Sequence, residues 1–262
     1  MRSRLCSAYR TGDENGCSSL QLLRVWRHQR YAGFPSLQGL IAGLVNGKER
    51  ASLSILDRGL QFGDGLFETI AVVEGQPALW ERHVERLLNS CRQLDIEPPD
   101  PALLRQESER LIDGRATCIL KILVTRGISQ RGYAVPLDVE PTRILQLFDW
   151  AGPETSEPLP PVPICRQRLG VQPGYAGLKH LNRLEQVLAR REVSRGEGLM
   201  LDAEGFLVEG IASNLFLVQG NELHTPVIDR CGVAGVVRSL ILDLALEMDR
   251  PARVRRIRPG EL

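Results

Sequence analysis

"YAGLKHLNRLEQV", residues 175–187, sets a lysine between a glycine-containing turn and what reads as a fresh amphipathic helix. The placement matters because this chain avoids lysine: of its 33 basic residues, three are lysines, at 48, 121 and 179. Lys48 follows the turn signal Asn46-Gly47 and reads as solvated surface. Lys121 interrupts an apolar run, so its stem can lie along apolar neighbours with the amine emerging at one edge. Lys179 follows Gly174 and Gly177, which let a backbone or a flat ligand come close. Taken alone, a lysine so placed is more often a surface charge than a catalyst, and scarcity of lysine can be purely compositional.

Composition narrows the classes. A chain of 262 residues, 43% hydrophobic and 25% charged, has the make-up of a soluble globular protein and the length for one large domain or two lobes. With 33 basic against 32 acidic residues, bulk charge draws it neither to nucleic acid nor to a membrane surface. No run approaches the roughly 20 apolar residues that span a bilayer. Six scattered cysteines without a C-x-x-C pair, and four histidines without metal-ligand spacing, point away from disulfide frameworks and metal sites and toward a reducing cytoplasm. Residues 1–40 are rich in arginine and poor in acids, and their apolar patch, Leu20 to Trp26, is too short for a signal-peptide core. They read as a poorly ordered extension, with a transit peptide as the alternative.

From Leu40 the pattern becomes foldable. Two hairpins are expected, turning at Asn46-Gly47 and near Glu74-Gly75. A helix follows with Leu79, Val84, Leu87, Leu88, Cys91 and Leu94 on one stripe, ended by Pro98-Pro99, and a second covers Pro101 to Leu111. "CILKILVTRG" and "TRILQLFDW" read as strands buried in one sheet. Five prolines within 151–163 mark a semi-rigid linker, which divides a first lobe over 41–150 from a second over 164–262. The second lobe is expected to hold a helix from Leu181 to Arg195, a hairpin around Ala203–Gly205, one strand over "NLFLVQGNELHT", and a glycine-led helix. That last helix should carry Val237, Leu240, Ile241, Leu244 and Met248 inward.

Three features raise the standing of Lys179. Glu209 ends a β-rich run, where a carboxylate has no packing reason to be. "AGVVR", 234–238, starts a helix whose free N–H groups and positive dipole end suit a phosphate. Arg86, on the first lobe's helix, can bring a charged fork to the same phosphate. Singly, Arg86 reads as a solvated helix charge and Glu209 as a surface strand residue. Together, an amine able to form a Schiff base, a carboxylate and two phosphate donors describe what pyridoxal phosphate requires.

In order along the chain, "FGDGLFET", "HVERL", "RGISQRGY", "GLKHLNRLEQVL", "VEGIASNLF" and "AGVVR" resemble the successive motifs of the fold-type IV (class IV) pyridoxal-phosphate enzymes, from about residue 44 to the C-terminus. The resemblance implies a two-lobed α/β fold, with a smaller N-terminal lobe, a larger C-terminal lobe and pyridoxal 5'-phosphate at their interface. It implies that Lys179 is the Schiff-base lysine and catalytic base, that Glu209 pairs with the pyridine nitrogen, and that Arg86 and the backbone of Val236 and Val237 hold the phosphate. Asn182 would shape one side of the ring. An imine with an aldehyde needs a primary amine, which a guanidinium does not usefully provide.

Within the family the motifs most resemble the aminodeoxychorismate lyases, which release 4-aminobenzoate and pyruvate on the route to folate. The implied assignments are Thr69 as a hydroxyl near the leaving group, and Lys121, Arg126, Arg131 and Tyr133 as partners for the substrate's two carboxylates. A homodimer is implied, with the "RGISQRGY" loop near the partner's site. Branched-chain and D-amino-acid aminotransferases share the fold and the cofactor groups and form the alternative. The branched-chain enzymes carry a tyrosine five residues after the lysine, where this chain has Leu184. Relatives also continue for several tens of residues beyond "VRRIRPGEL". A truncated and inactive member is therefore the further alternative, expected to be less stable.

Overall fold

Asn46 and Gly47 both take positive φ, 48° and 76°, and reverse the chain between β1 (Leu40–Val45) and β2 (Lys48–Glu49). The structure is a computed structural model, and it describes residues 39–50, 52–151 and 161–262. Most of the extension expected over 1–40 and of the linker over 151–163 therefore lies outside the described residues, and Leu40, counted in that extension, already belongs to β1. A short helix, α1 (Arg58–Phe62), is capped by the Asp57 carboxylate on Gly59 N–H and ended by left-handed Gly63. β3 (Gly65–Val73) turns through Glu74 and Gly75 into β4 (Gln76–Pro77). β4 stops early because Leu79 is left-handed and precedes α2 (Trp80–Gln93). α3 (Pro101–Ile112) begins with Asp100 as its cap and proline in the first turn, where a missing N–H costs nothing.

β5 (Thr117–Thr125) and β6 (Thr142–Phe148) complete a six-stranded sheet in the order β2-β1-β6-β5-β3-β4. Alternation along β3 buries Leu66, Ile70 and Val72 with Val84, Leu87 and Cys91 of α2 and Leu104 of α3 in one core. The opposite face, with Phe67, Thr69 and Lys121, stays half-buried.

The second lobe opens with β7 (Ile164–Leu169), passes the lysine segment and α4 (Leu184–Arg191), and returns as β8 (Leu199–Asp202), parallel to β7. β9 (Leu207–Gly210) pairs antiparallel with β8 across a turn at Gly205. The run read as one strand is a hairpin instead: β10 (Leu217–Gln219) and β11 (Glu222–Pro226) turn at Gly220, whose φ is 58°. α5 (Val236–Glu247) then leads to β12 (Ala252–Arg255), parallel to β11. The inward face of α5 is Ile241, Leu242 and Ala245, packed with Phe216 and Leu223. Leu244 and Met248, expected inward, are exposed. The buried stripe is offset from the expected one because β10 and β11, read as one strand, bring Phe216 and Leu223 against it.

Candidate active site

β3 has a partner on its free edge. Phe67 N–H donates to the carbonyl of Lys179 (2.9 Å) and Leu181 N–H to that of Gly65 (2.9 Å), so the lysine segment runs antiparallel to β3. This pairing keeps residues 179–181 extended and explains why α4 starts later than the expected Leu181. On the other side Gly177, at φ 84°, donates to Gly232 and accepts from Ala234, both at 3.0 Å. The backbone on either side of the amine is thus stitched to both lobes.

The Lys179 side chain is half-buried, with Nζ 4.4 Å from the centroid of the Phe67 ring. Burial, reinforced by Arg86 and Arg183 against the pull of Glu68 and Glu209, lowers its pKa to about 8. Lys121 Nζ lies 5.4 Å from the same ring centroid, and burial lowers its pKa too. Thr69 is in register opposite Lys121 and two residues from Phe67, so the hydroxyl and both amines share one face of the sheet.

Glu209 is buried on β9 and accepts the Val233 N–H at 2.8 Å. Burial raises its pKa to about 7, although Val233, Arg183, Lys179 and a hydrogen bond from Gln186 oppose the rise. Arg86 reaches across from α2 and donates Nη1 to the carbonyl of Ala234 at 3.0 Å. Its Nε and Nη2 bind the carboxylate of Glu68, which is 1% exposed. Two residues beyond Ala234, α5 begins without any side-chain cap, leaving the N–H groups of Val236 and Val237 open to a ligand. A side chain at Gly235 would collide with Asn214 Oδ1, and Asn214 Nδ2 holds the Val233 carbonyl at 2.9 Å.

A cavity of about 170 Å³ adjoins the lysine segment, lined in part by His180, Asn182, Arg183, Gln186 and Gly232. His180 Nδ1 and Gln186 Oε1 are buried without a partner. Asn182 itself donates to the carbonyl of Gly63 at 3.0 Å, tying the end of α1 to the lysine segment. A wider surface groove of about 640 Å³ between α2 and α3 contains none of these groups.

The remaining sequence candidates are placed differently. Arg126 has its fork on Asp64 (2.8 Å) and on the carbonyls of Leu94 and Asp95 (both 2.8 Å), so it ties the end of α2 to β5 rather than offering a free fork. Arg131 is exposed, and Tyr133, 85% exposed, rests its ring on Phe62 while its carbonyl accepts from Arg58. Neither joins the contacts around Lys179 within this chain. Sequence reasoning missed Glu68, His83 and Gln186. Glu68 alone left a signal, a charge at a core position of an alternating strand.

These residues suit a phosphorylated pyridine aldehyde: a depressed amine, a buried carboxylate for a ring nitrogen, and uncapped amides beside a guanidinium for the phosphate. Among the described residues no cluster of His, Cys, Asp and Glu could hold a metal ion, and no helix is long and apolar enough to cross a membrane.

Fold and site together define a class of enzyme: the chain belongs to the amino-transferase class IV family, whose model matches residues 65–262. Its particular likeness is to lyases. It is 46% identical to the solved 4-amino-4-deoxychorismate lyase of Pseudomonas aeruginosa, with a TM-score of 0.75 over 84% of this chain and 83% of that one. It is 36% identical over 207 residues to the aminodeoxychorismate lyase of Vibrio harveyi, covering 76% of this chain and 75% of that protein. The branched-chain amino acid aminotransferase of Escherichia coli shares the fold at 22% identity, with a TM-score of 0.74 over 85% of this chain and 80% of that one.

Proposed function

We propose that this chain is a pyridoxal 5'-phosphate-dependent aminodeoxychorismate lyase, converting 4-amino-4-deoxychorismate into 4-aminobenzoate and pyruvate. The observation that supports it best is the Lys179 segment, whose amine is half-buried and lowered to about 8 between a sheet face with a second amine and the linked pair Glu209–Val233. The 46% identity to a solved lyase favours this reaction over amine transfer.

When bound, the cofactor supplies a sink for the electron pair released at the substrate's amine-bearing carbon. Lys179, neutral at mildly alkaline pH, takes the proton from that carbon. The C–O bond at the neighbouring ring carbon breaks with its electrons on oxygen, and the Thr69 hydroxyl donates a hydrogen bond to the departing enolpyruvate. Lys121 pairs with a substrate carboxylate, and the Phe67 ring forms an apolar floor that keeps water from both amines. Glu209 would hold the ring nitrogen's proton, Arg86 and the first amides of α5 would hold the phosphate, and Asn182 would form the wall beside the ring.

A cytoplasmic homodimer completes this reading. Ile55, Leu60, Ile128, Tyr133 and Leu137 leave exposed apolar surface on the first lobe, and Arg131 and Tyr133 would serve the partner's substrate. Sedimentation showing only monomer would remove that part. The reaction is tested by supplying aminodeoxychorismate and following fluorescent 4-aminobenzoate, beside amine transfer to 2-oxoglutarate. Transfer without 4-aminobenzoate would favour the aminotransferases.

A further inference from the structure

Arg86 has three of its five N–H groups engaged by protein: Nε and Nη2 by Glu68, and Nη1 by the Ala234 carbonyl. One hydrogen remains on each terminal nitrogen. Glu68 is 1% exposed, yet no packing argument places a carboxylate at that strand position. Its second donor is His83, whose Nδ1 lies 2.7 Å from Oε2. Burial alone would raise the Glu68 pKa, but hydrogen bonds and charge from His83 and Arg86 bring it below the ordinary carboxylate range. The carboxylate therefore stays ionised and grips a planar fork along two parallel bonds. Because the Glu68 charge largely cancels that of Arg86, the guanidinium offers the neighbouring α5 start less net attraction than fixed direction.

We propose that Glu68 is a positioning residue, which sets the Arg86 guanidinium so that its two unused N–H groups converge with the open amides of α5 on the cofactor's phosphate. The inference rests on the cofactor reading above and adds to it a residue that never touches the ligand. A freed arginine would sample many rotamers, and ordering it on binding would cost affinity for the phosphate alone.

The test compares affinities of the cofactor-free protein for pyridoxal 5'-phosphate and for pyridoxal, followed by fluorescence quenching, in the wild type, Glu68→Gln, Arg86→Gln and the double variant. Wild type should prefer the phosphorylated form. Glu68→Gln should lower that preference by about tenfold to a hundredfold, any change in Lys179 basicity acting on both ligands alike and cancelling in the ratio, and the double variant should be no weaker than Arg86→Gln. Glu68→Asp, which keeps the charge on a shorter arm, gives the same comparison if the glutamine variant does not fold. Equal losses for both ligands would mean a merely structural ion pair and overturn the proposal, as would an unchanged preference or additive losses in the double variant. A wild type indifferent to the phosphate would overturn the cofactor reading and this inference with it.

Discussion

Lys179 and Glu209 are displaced in opposite senses by the same cause, loss of water around a charge. The amine moves to about 8 and the carboxyl to about 7, so at pH 7 about half of the carboxyl and about a tenth of the amine are neutral. Nucleophilic modification of Lys179 should accordingly reach half its maximal rate near pH 8 instead of 10.5, with Lys179→Ala losing that component. Peptide mapping after reductive methylation at graded pH measures it. For Glu209 the folded value lies above the unfolded 4.5, so its contribution to stability is full below about 4.5 and lost as pH rises through about 7. Between pH 5 and pH 8 this group's contribution should fall by on the order of 3 kcal/mol at most, opposed up to about pH 6.5 by His180, whose pKa burial lowers to about 4. Glu209→Gln should remove that fall in calorimetry. The identities of these residues were readable from a rare lysine and an oddly placed acid. Glu68 left only a charge at a core position of a strand, and Gln186 left nothing, because their meaning lies in partners distant in sequence.

Among elements, α5 depends most on a single small residue. Gly235 takes an ordinary extended conformation, and what forbids a side chain there is the Asn214 amide packed against it. Gly235→Ala should destabilise the fold by about 1–3 kcal/mol and weaken phosphate binding beyond that loss. Thermal melting and titration with inorganic phosphate together would check it. Elements with strong local chemistry were legible: the Asn46-Gly47 and Glu74-Gly75 turns, the stripe of α2, and the proline-started α3. Those decided by contact were not. α4 starts late because Leu181 is taken up by β3, and it ends at Arg191 rather than the expected Arg195; the inward face of α5 follows β10 and β11, which a single-strand reading merges.

Across the whole molecule, two lobes were expected from a proline-rich stretch, but nothing in periodicity showed how they meet. They meet through main chain where 179–181 pairs with β3, while 177 on 232–234 anchors that segment within the second lobe. The amides of Phe67 and Leu181 should then exchange hydrogen at a common rate, comparable with that of the β3–β5 core amides and far slower than surface loops. Mass-resolved exchange would show otherwise if those two opened early and independently. A seam of this kind is a weld where a hinge would be flexible. Parting the halves there would break both bonds, that of Phe67 with Lys179 and that of Leu181 with Gly65, so the seam resists their separation.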